Sequence, residues 1–390
     1  MAKLKILIFS GWYLPGYRGG GPIRTLANMV DRLGDEFEFK IVTADRDSQD
    51  TKHYPGVVID GWNNVGKAKV FYMSPDKRSL WDIRKIFWST EYNVLYLNSF
   101  FSYFTIKPLL LRRLQLIPSC PLLIAPRGEF SPCAFGYRRV KKLVYTMISK
   151  VFGFYQGATL QASSKYEESD IRHWFGSNTK VVIAPDLPPL SYASKSLTLE
   201  REKIKNCLKI IFLSRISLMK NLYGVLEILS GLKEKIQFNI FGPMEDKEYW
   251  IRCQKIISNL PENIGVQYHG NIPHEWVVDV MGEHDLFFLP TLGENFGHVI
   301  LEALCAGCPV LISDRTPWRG LEAKGVGWDL PLDRPELFRG VIQMCFGMDS
   351  IKYKELSNRA QEYGFQAVKD GGAVKRNRLL FQYAIDGASD

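Results

Sequence analysis

Three stretches of the chain combine residue types and spacings able to do chemistry, and each follows a run that reads as a β-strand. In Ser214-Arg215-Ile216-Ser217-Leu218-Met219-Lys220-Asn221, two cations stand five positions apart just past a strand. Arg215 as a planar fork and Lys220 as a point charge can converge there on a diphosphate; a solvated loop is the plainer alternative. In Thr291-Leu292-Gly293-Glu294-Asn295-Phe296-Gly297-His298-Val299-Ile300-Leu301-Glu302-Ala303, a strand ends at Pro290 and a helix is predicted from near Phe296. Glu294 then sits in the turn and Glu302 about two helical turns on, with a rise on the order of 10 Å between them. That spacing suits one carboxylate on a sugar and the other on a ribose, with a diphosphate between. The N–H groups of Phe296, Gly297 and His298 are expected as helix-start donors toward it. As plain structure, Glu294 would cap the helix and Glu302 would lie on the surface. Glu302, however, stands among Ile300, Leu301, Ala303 and Leu304, where a lone carboxylate is costly without a partner. The third stretch is Gly16-Tyr17-Arg18-Gly19-Gly20-Gly21-Pro22. Gly19, Gly20 and Gly21 let backbone N–H groups approach an anion ahead of a helix. The loop is neither G-x-G-x-x-G nor a P-loop, and a tight turn explains it equally well.

The elements that must position these residues alternate. Strands are predicted at Leu4–Phe9, Phe37–Thr43, Val57–Ile59, Ala68–Met73, Val94–Leu97, Leu122–Ala125, Gly157–Ala162 and Lys180–Ala184. Helical patterns intervene at Thr25–Leu33, Leu80–Trp88, Ile106–Leu116 and Tyr137–Phe152. After Pro185-Asp186-Leu187-Pro188-Pro189 and a Ser/Lys-rich stretch the rhythm restarts, with strands Leu208–Ser214, Ile236–Phe241, Val266–His269, Asp285–Pro290 and Pro309–Ser313. Strands alternating with helices indicate parallel, helix-covered sheets. The expectation is two doubly wound Rossmann-like α/β domains facing across a cleft, residues 1–190 and 207–365, joined by a linker over 191–206. A terminal helix over 366–390 is placed to pack back on the first domain. Ligands of such sheets bind at the carboxyl ends of strands.

Composition narrows the class. The 390 residues are 46% hydrophobic, 23% charged and 13% aromatic, which excludes disorder for most of the chain. No apolar run approaches the ~20 residues of a membrane span, and the amino terminus reads as a buried strand rather than an export signal. A soluble, cytoplasmic protein is expected. Seven scattered cysteines fit reduced thiols, and Cys305-Ala306-Gly307-Cys308 lacks a second pair at zinc spacing. Residues 1–200 carry 27 Lys and Arg against 17 Asp and Glu, so the first half holds the whole positive excess and points to an anionic partner.

Arg215-x4-Lys220-Asn221 and Glu294-x7-Glu302, followed by Ala303-Leu304-Cys305-Ala306-Gly307-Cys308-Pro309-Val310, resemble the retaining glycosyltransferases of the GT-B fold, family four. The glycine-rich loop sits where that family places one. The resemblance is dense in the C-terminal domain and thin in the N-terminal one. It implies a nucleotide-diphospho-sugar donor, UDP or GDP, held mainly by the C-terminal domain. Arg215 and Lys220 would neutralise the leaving diphosphate, Glu294 would hold sugar hydroxyls, and Glu302 would accept from the ribose. Gly19, Gly20, Gly21, Asn295, Phe296, Gly297 and His298 complete the implied donor site. The nucleobase would lie near the loops after Phe241 and His269. Neither metal nor cofactor is implied, and Asp45-Arg46-Asp47 stands outside any sugar-nucleotide context. Where many relatives carry an N-terminal histidine, this chain reads Asn98-Ser99-Phe100 and Pro126-Arg127-Gly128-Glu129. The latter resembles members that make bacterial surface polysaccharide. Arg127 and Glu129 are therefore expected at donor phosphate and acceptor, or else as a structural pair. His53, His173, His269, His274 and His284 are expected to be surface or packing residues.

Val140, Leu143, Val144, Met147, Ile148 and Val151 recur at helical spacing behind Arg138, Arg139, Lys141 and Lys142. Such a helix can dock on anionic lipid or turn its apolar face into the core. Nucleic acid is disfavoured, since no binding signature accompanies the charge. The function implied is transfer of a hexose, with retention, to a lipid-linked glycan acceptor in O-antigen, capsule or exopolysaccharide synthesis, on the inner face of the cytoplasmic membrane. The alternatives are a nucleotide-sugar epimerase or hydrolase of the same architecture, or a non-catalytic glycan- or lipid-binding scaffold.

Overall fold

A computed structural model describes residues 3–48, 50–136, 139–193, 203 and 205–386. The chain divides into two compact units, Met1–Pro189 with Gly371–Asp390, and Leu190–Asp370. Of the linker expected over 191–206, residues 194–202 and 204 lie outside the described residues, as do Tyr137 and Arg138.

The first unit is built on eight strands: β1 (Leu4–Phe9), β2 (Phe37–Ala44), β3 (Trp62–Val65), β4 (Ala68–Met73), β5 (Val94–Asn98), β6 (Leu122–Ala125), β7 (Ala158–Ala162) and β8 (Val181–Ile183). Their order is β3-β4-β2-β1-β5-β6-β7-β8, parallel except for the β3–β4 hairpin. β1 is central, and successive residues feed opposite apolar cores: Ile6 and Ile8 pack on one face, Leu7 and Phe9 on the other. Burial on both faces is why this strand reads as an uninterrupted apolar run. Of the strand expected over 57–59, only an isolated parallel bridge from Ile59 to Tyr72 forms. Asn63 bonds the N–H and C=O of Val58, both at 2.8 Å, and so takes the backbone groups a ladder there would use.

The second unit carries a six-stranded, wholly parallel sheet: β9 (Leu208–Leu213), β10 (Ile236–Phe241), β11 (Ile264–Gly270), β12 (Leu286–Leu289), β13 (Val310–Ser313) and β14 (Gly327–Leu330). The order β11-β10-β9-β12-β13-β14 reverses direction at β9. The carboxyl ends of β9 and β12 therefore flank a topological switch point, where loops splay apart and ligands bind. β1 and β5 flank the corresponding point in the first unit.

The terminal helix bounds are corrected. Helix Ser350–Lys369 belongs to the second unit, and a separate helix, Gly371–Asp386, belongs to the first. There Phe381 packs against Phe37, Phe39 and Tyr96 at ring separations of 5.2, 6.1 and 5.7 Å. Among the described residues no helix is long and apolar enough to cross a membrane.

Candidate functional site

At the switch point of the second unit, the loops after β9 and β12 are tied together by backbone. The Met219 carbonyl accepts from the Leu292 N–H at 2.8 Å and from the Thr291 hydroxyl at 3.0 Å. Asn221 stands in the left-handed region, φ 57°, at the head of helix Leu222–Ser230. Its Oδ1 accepts from Gly224 N–H, while its Nδ2 donates to the Pro290 carbonyl at 2.9 Å. Gly242, after β10, has φ 127°, and a Cβ there would lie 2.0 Å from the Ser214 carbonyl oxygen. Only glycine lets the β10 loop close on the β9 loop.

These ties bring two of the expected residues into contact. Lys220 Nζ donates to Glu294 Oε1, with side chains only 12% and 11% exposed. Glu294 is thus no helix cap; its own N–H donates to the Arg315 carbonyl. Arg215, on the same loop as Lys220, is half-buried and pairs instead with Glu245 at 3.0 Å, each side chain about 40% exposed. A pair this open to solvent contributes little, so the guanidinium can turn to an anionic ligand at low cost.

The following helix is His298–Cys305, two residues later than expected. Gly297 stands before it at φ 78°, and a Cβ there would meet Ile300 Cδ1 at 2.8 Å. The Phe296 carbonyl accepts from Trp318 Nε1 at 2.6 Å. Phe296 and Gly297 therefore precede the helix, and its opening N–H groups begin at His298, whose ring lies 4.7 Å from that of Phe296. Asn295 is half-buried in the same turn. Glu302 is the fifth residue of the helix, little more than one turn in and not two.

Glu302 is buried rather than on the surface. Its Oε1 accepts from the Tyr192 hydroxyl at 2.9 Å and faces His274 Nε2 at 3.1 Å, which itself lies 2.9 Å from the Tyr192 oxygen. Burial opposes its ionisation. The hydrogen bond and charge of His274, the charge of His298 and the Tyr192 hydroxyl outweigh that and hold the carboxyl below the usual range. His274 packs, as expected, its ring stacked on Tyr192 at 6.2 Å, but it also meets the Glu302 carboxylate; that contact and Tyr192 were not foreseen. The one signal for both was the cost of an isolated carboxylate. His284 and His269 also pack: His284 Nδ1 faces the Val280 carbonyl at 2.7 Å, and His269 stacks on Phe241 at 4.4 Å.

In the first unit, helix Gly21–Leu33 starts inside the glycine-rich loop, with Gly20 at φ 65° before it. The Tyr17 and Arg18 N–H groups both donate to Asp47 Oδ2, at 2.8 and 3.0 Å. These amides, and not those of Gly19, Gly20 and Gly21, hold a carboxylate, which comes from the segment after β2. Asp45 is neutralised by Arg46 and Arg78.

Arg127 and Glu129 are corrected more strongly. They do not pair with each other. Arg127 donates to Asp186 Oδ1 at 2.6 Å, to Asn98 Oδ1 and to the Tyr96 hydroxyl, and each side chain of the Arg127–Asp186 pair is 5% exposed. Glu129 accepts from the Ser99 hydroxyl and from the N–H groups of Phe100 and Phe101. Burial pushes its carboxyl up against those bonds. Both side chains hold strand ends together, and their polar atoms are engaged within the unit.

Two doubly wound α/β units of this kind make the two-domain fold of GT-B glycosyltransferase structures. Residues 198–340 match the family model for glycosyl transferases group 1. That stretch contains Arg215, Lys220, His274, Glu294 and Glu302. A curated relative, an uncharacterized glycosyltransferase of Methanocaldococcus jannaschii, is 26% identical over 197 residues, 48% of each chain. The chain thus spans about half the length of that relative. Among solved structures, sucrose-phosphate synthase of Thermosynechococcus elongatus superposes with a TM-score of 0.71 at 17% identity, over 97% of this chain and 99% of the other. HepE of Anabaena, solved with UDP and glucose, gives 0.68 at 17% identity over 97% and 98%. WaaG, a glycosyltransferase involved in lipopolysaccharide biosynthesis, gives 0.64 at 13% over 92% and 95%.

Proposed function

We propose that the chain is a retaining, metal-independent glycosyltransferase of family four. It moves a hexose from a UDP- or GDP-sugar to a lipid-linked glycan acceptor in bacterial surface-polysaccharide assembly, on the inner face of the cytoplasmic membrane. The observation that carries this is the Lys220–Glu294 contact, made by two loops stitched across the switch point of the second unit. Lys220, with Arg215 swung from Glu245, meets the diphosphate as it leaves. The opening N–H groups of helix His298–Cys305 add partial positive charge. Glu294 takes the sugar hydroxyls, and Glu302 uses its Oε2 for the ribose, since Oε1 is engaged by Tyr192 and His274. The acceptor hydroxyl attacks from the face the nucleotide leaves, which keeps the anomeric configuration. Leaving-group stabilisation is then the main catalytic effect, and each preorganised donor contributes ~3–4 kcal/mol. With two cations and a helix start for the diphosphate, no bridging metal is called for.

Support comes from the group 1 match and from the nucleotide complexes of HepE. The test is incubation with a panel of UDP- and GDP-sugars, with and without glycan acceptor and with a chelator. Acceptor-dependent nucleotide release that survives chelation, with the product anomer matching the donor by NMR, is expected. Release without acceptor would make the protein an epimerase or hydrolase, and an inverted anomer would refute retention.

A further inference from the structure

The charge of the chain has one address. Between Tyr92 and Tyr166 stand ten Lys and Arg residues and one acid, Glu129, whose carboxylate is buried on its own backbone. That segment alone is nine positive charges in excess, equal to the +9 of the whole chain. At its centre lies helix Arg139–Val151, and this helix faces the wrong way for a core element. It buries Thr146 and Ser149, whose hydroxyls bond carbonyls of their own helix at 2.8 and 2.9 Å. Val140, Val144, Met147, Ile148 and Val151 are exposed, Val151 to 82%. Their spacing puts them in one stripe. Of the apolar face read from periodicity, Leu143 packs against the core and the other five residues do not.

The stripe continues onto two further helices. Exposed Phe152 follows it, and its carbonyl accepts from Arg113 Nε at 2.7 Å. Arg113 ends helix Tyr103–Arg113, and exposed Leu114 comes next. Two residues on, the Leu116 carbonyl accepts from both Arg84 Nε and Trp88 Nε1 at 3.1 Å. The Arg84 guanidinium lies over the exposed rings of Trp81 and Trp88, at 5.6 and 6.0 Å.

We infer that this face docks on an anionic lipid bilayer, with helix Arg139–Val151 lying among the headgroups and Trp81 and Trp88 anchoring beside it. An apolar stripe flanked by cations is what an interfacial helix needs, and tryptophan prefers the boundary between headgroup and acyl chain. Arg139, Lys141 and Arg113 supply charge complementary to anionic lipid. A second copy of the chain would set Arg139, Lys141 and Arg113 against like charges, and no nucleic-acid-binding signature accompanies the basic segment. The assignment deepens the membrane location proposed above and is independent of the nucleotide-sugar chemistry.

The test is flotation of the full chain with vesicles of phosphatidylcholine alone or with one quarter phosphatidylglycerol. The wild type should float with the anionic vesicles only. Val144→Glu with Met147→Glu should lower binding at least tenfold with an unchanged circular-dichroism melt, since both positions are solvent-exposed. Arg139→Gln with Lys141→Gln should lower it several-fold and flatten its salt dependence. Failure of the wild type to float, or equal flotation of the glutamate variant, overturns the proposal. So does a wild-type dimer that the glutamate variant converts to monomer in sedimentation velocity, which would make this face a contact between copies. Flotation without nucleotide release would remove the catalytic reading alone.

Discussion

Both units place a basic side chain and a glutamate on loops at strand ends, and the two sets have opposite fates. In the first, Arg127 is locked to Asp186, Asn98 and Tyr96, and Glu129 to backbone N–H groups. In the second, Lys220 and Glu294 face each other across two loops, with Arg215 on a loose surface pair beside them. Both sets place a cation beside a glutamate; what differs is whether their hydrogen-bonding capacity is consumed by the fold. A charge that holds strands together is unavailable to a ligand, whereas one held only by another movable charge can exchange that partner for substrate.

The sharpest way to break this comparison is to remove one member from each side. Arg127→Ala should lower stability by about 3–5 kcal/mol, because it leaves Asp186 buried without its partner; chemical denaturation would measure it. A full-strength fold with impaired turnover would instead return Arg127 to the ligand. Lys220→Ala and Glu294→Ala should each reduce turnover at least about a hundredfold, the scale of losing one preorganised donor, with a cooperative melt retained. Near-wild-type rates in both would dissolve the distinction.

Smaller effects refine it. Tyr192→Phe removes one of the two groups on Glu302 Oε1. A hydrogen bond to a charged group contributes roughly 1.5–3 kcal/mol, so KM for the donor should rise about tenfold or more while kcat stays nearly constant. On the proposed function Tyr192 acts by positioning Glu302, and an equal fall in kcat would argue against that.

The two units should also respond oppositely to pH. Burial, with the Glu167 charge, pushes Asp170 of the first unit up to about 6. Its native form holds the proton more tightly than the unfolded chain does, so stability declines as pH rises from the ordinary carboxylate range to about 6. Asp170→Asn should flatten the melting temperature across that window. Glu302 in the second unit is held low, so its contribution is full above the unfolded pKa and is lost as pH falls through the folded value. Glu302→Gln should therefore weaken the acid-side loss of stability and leave the Asp170 window untouched.

Much of the site was legible because strand ends, turn glycines and charged residues are local features. The strand preceding Arg215, the turn holding Glu294 and the restart of the α/β rhythm near residue 207 all follow from short-range pattern. What could not be read was partnership. Glu302 announced a need for a partner through its apolar neighbours, but Tyr192 lies 110 positions away and His274 28. Arg127 and Glu129 stand two apart and still bond elsewhere, since Asp186 arrives from 59 positions on. The helix start slipped by two residues because Phe296 answers to Trp318 rather than to helical periodicity. The stripe on helix Arg139–Val151 was visible as a pattern, but periodicity cannot tell which side of a helix meets water.

The single carbonyl of Met219 carries both the Leu292 amide and the Thr291 hydroxyl, and with them the alignment of the loop bearing Glu294 against the loop bearing Lys220. An uncharged hinge pin of this kind escapes any scan for acids, bases or cations. Replacing Thr291 by valine keeps shape and volume nearly constant, yet it would let the two opposed side chains drift out of register together. If Lys220 and Glu294 act as proposed, a loss of turnover can thus begin at a methyl-for-hydroxyl exchange outside both side chains.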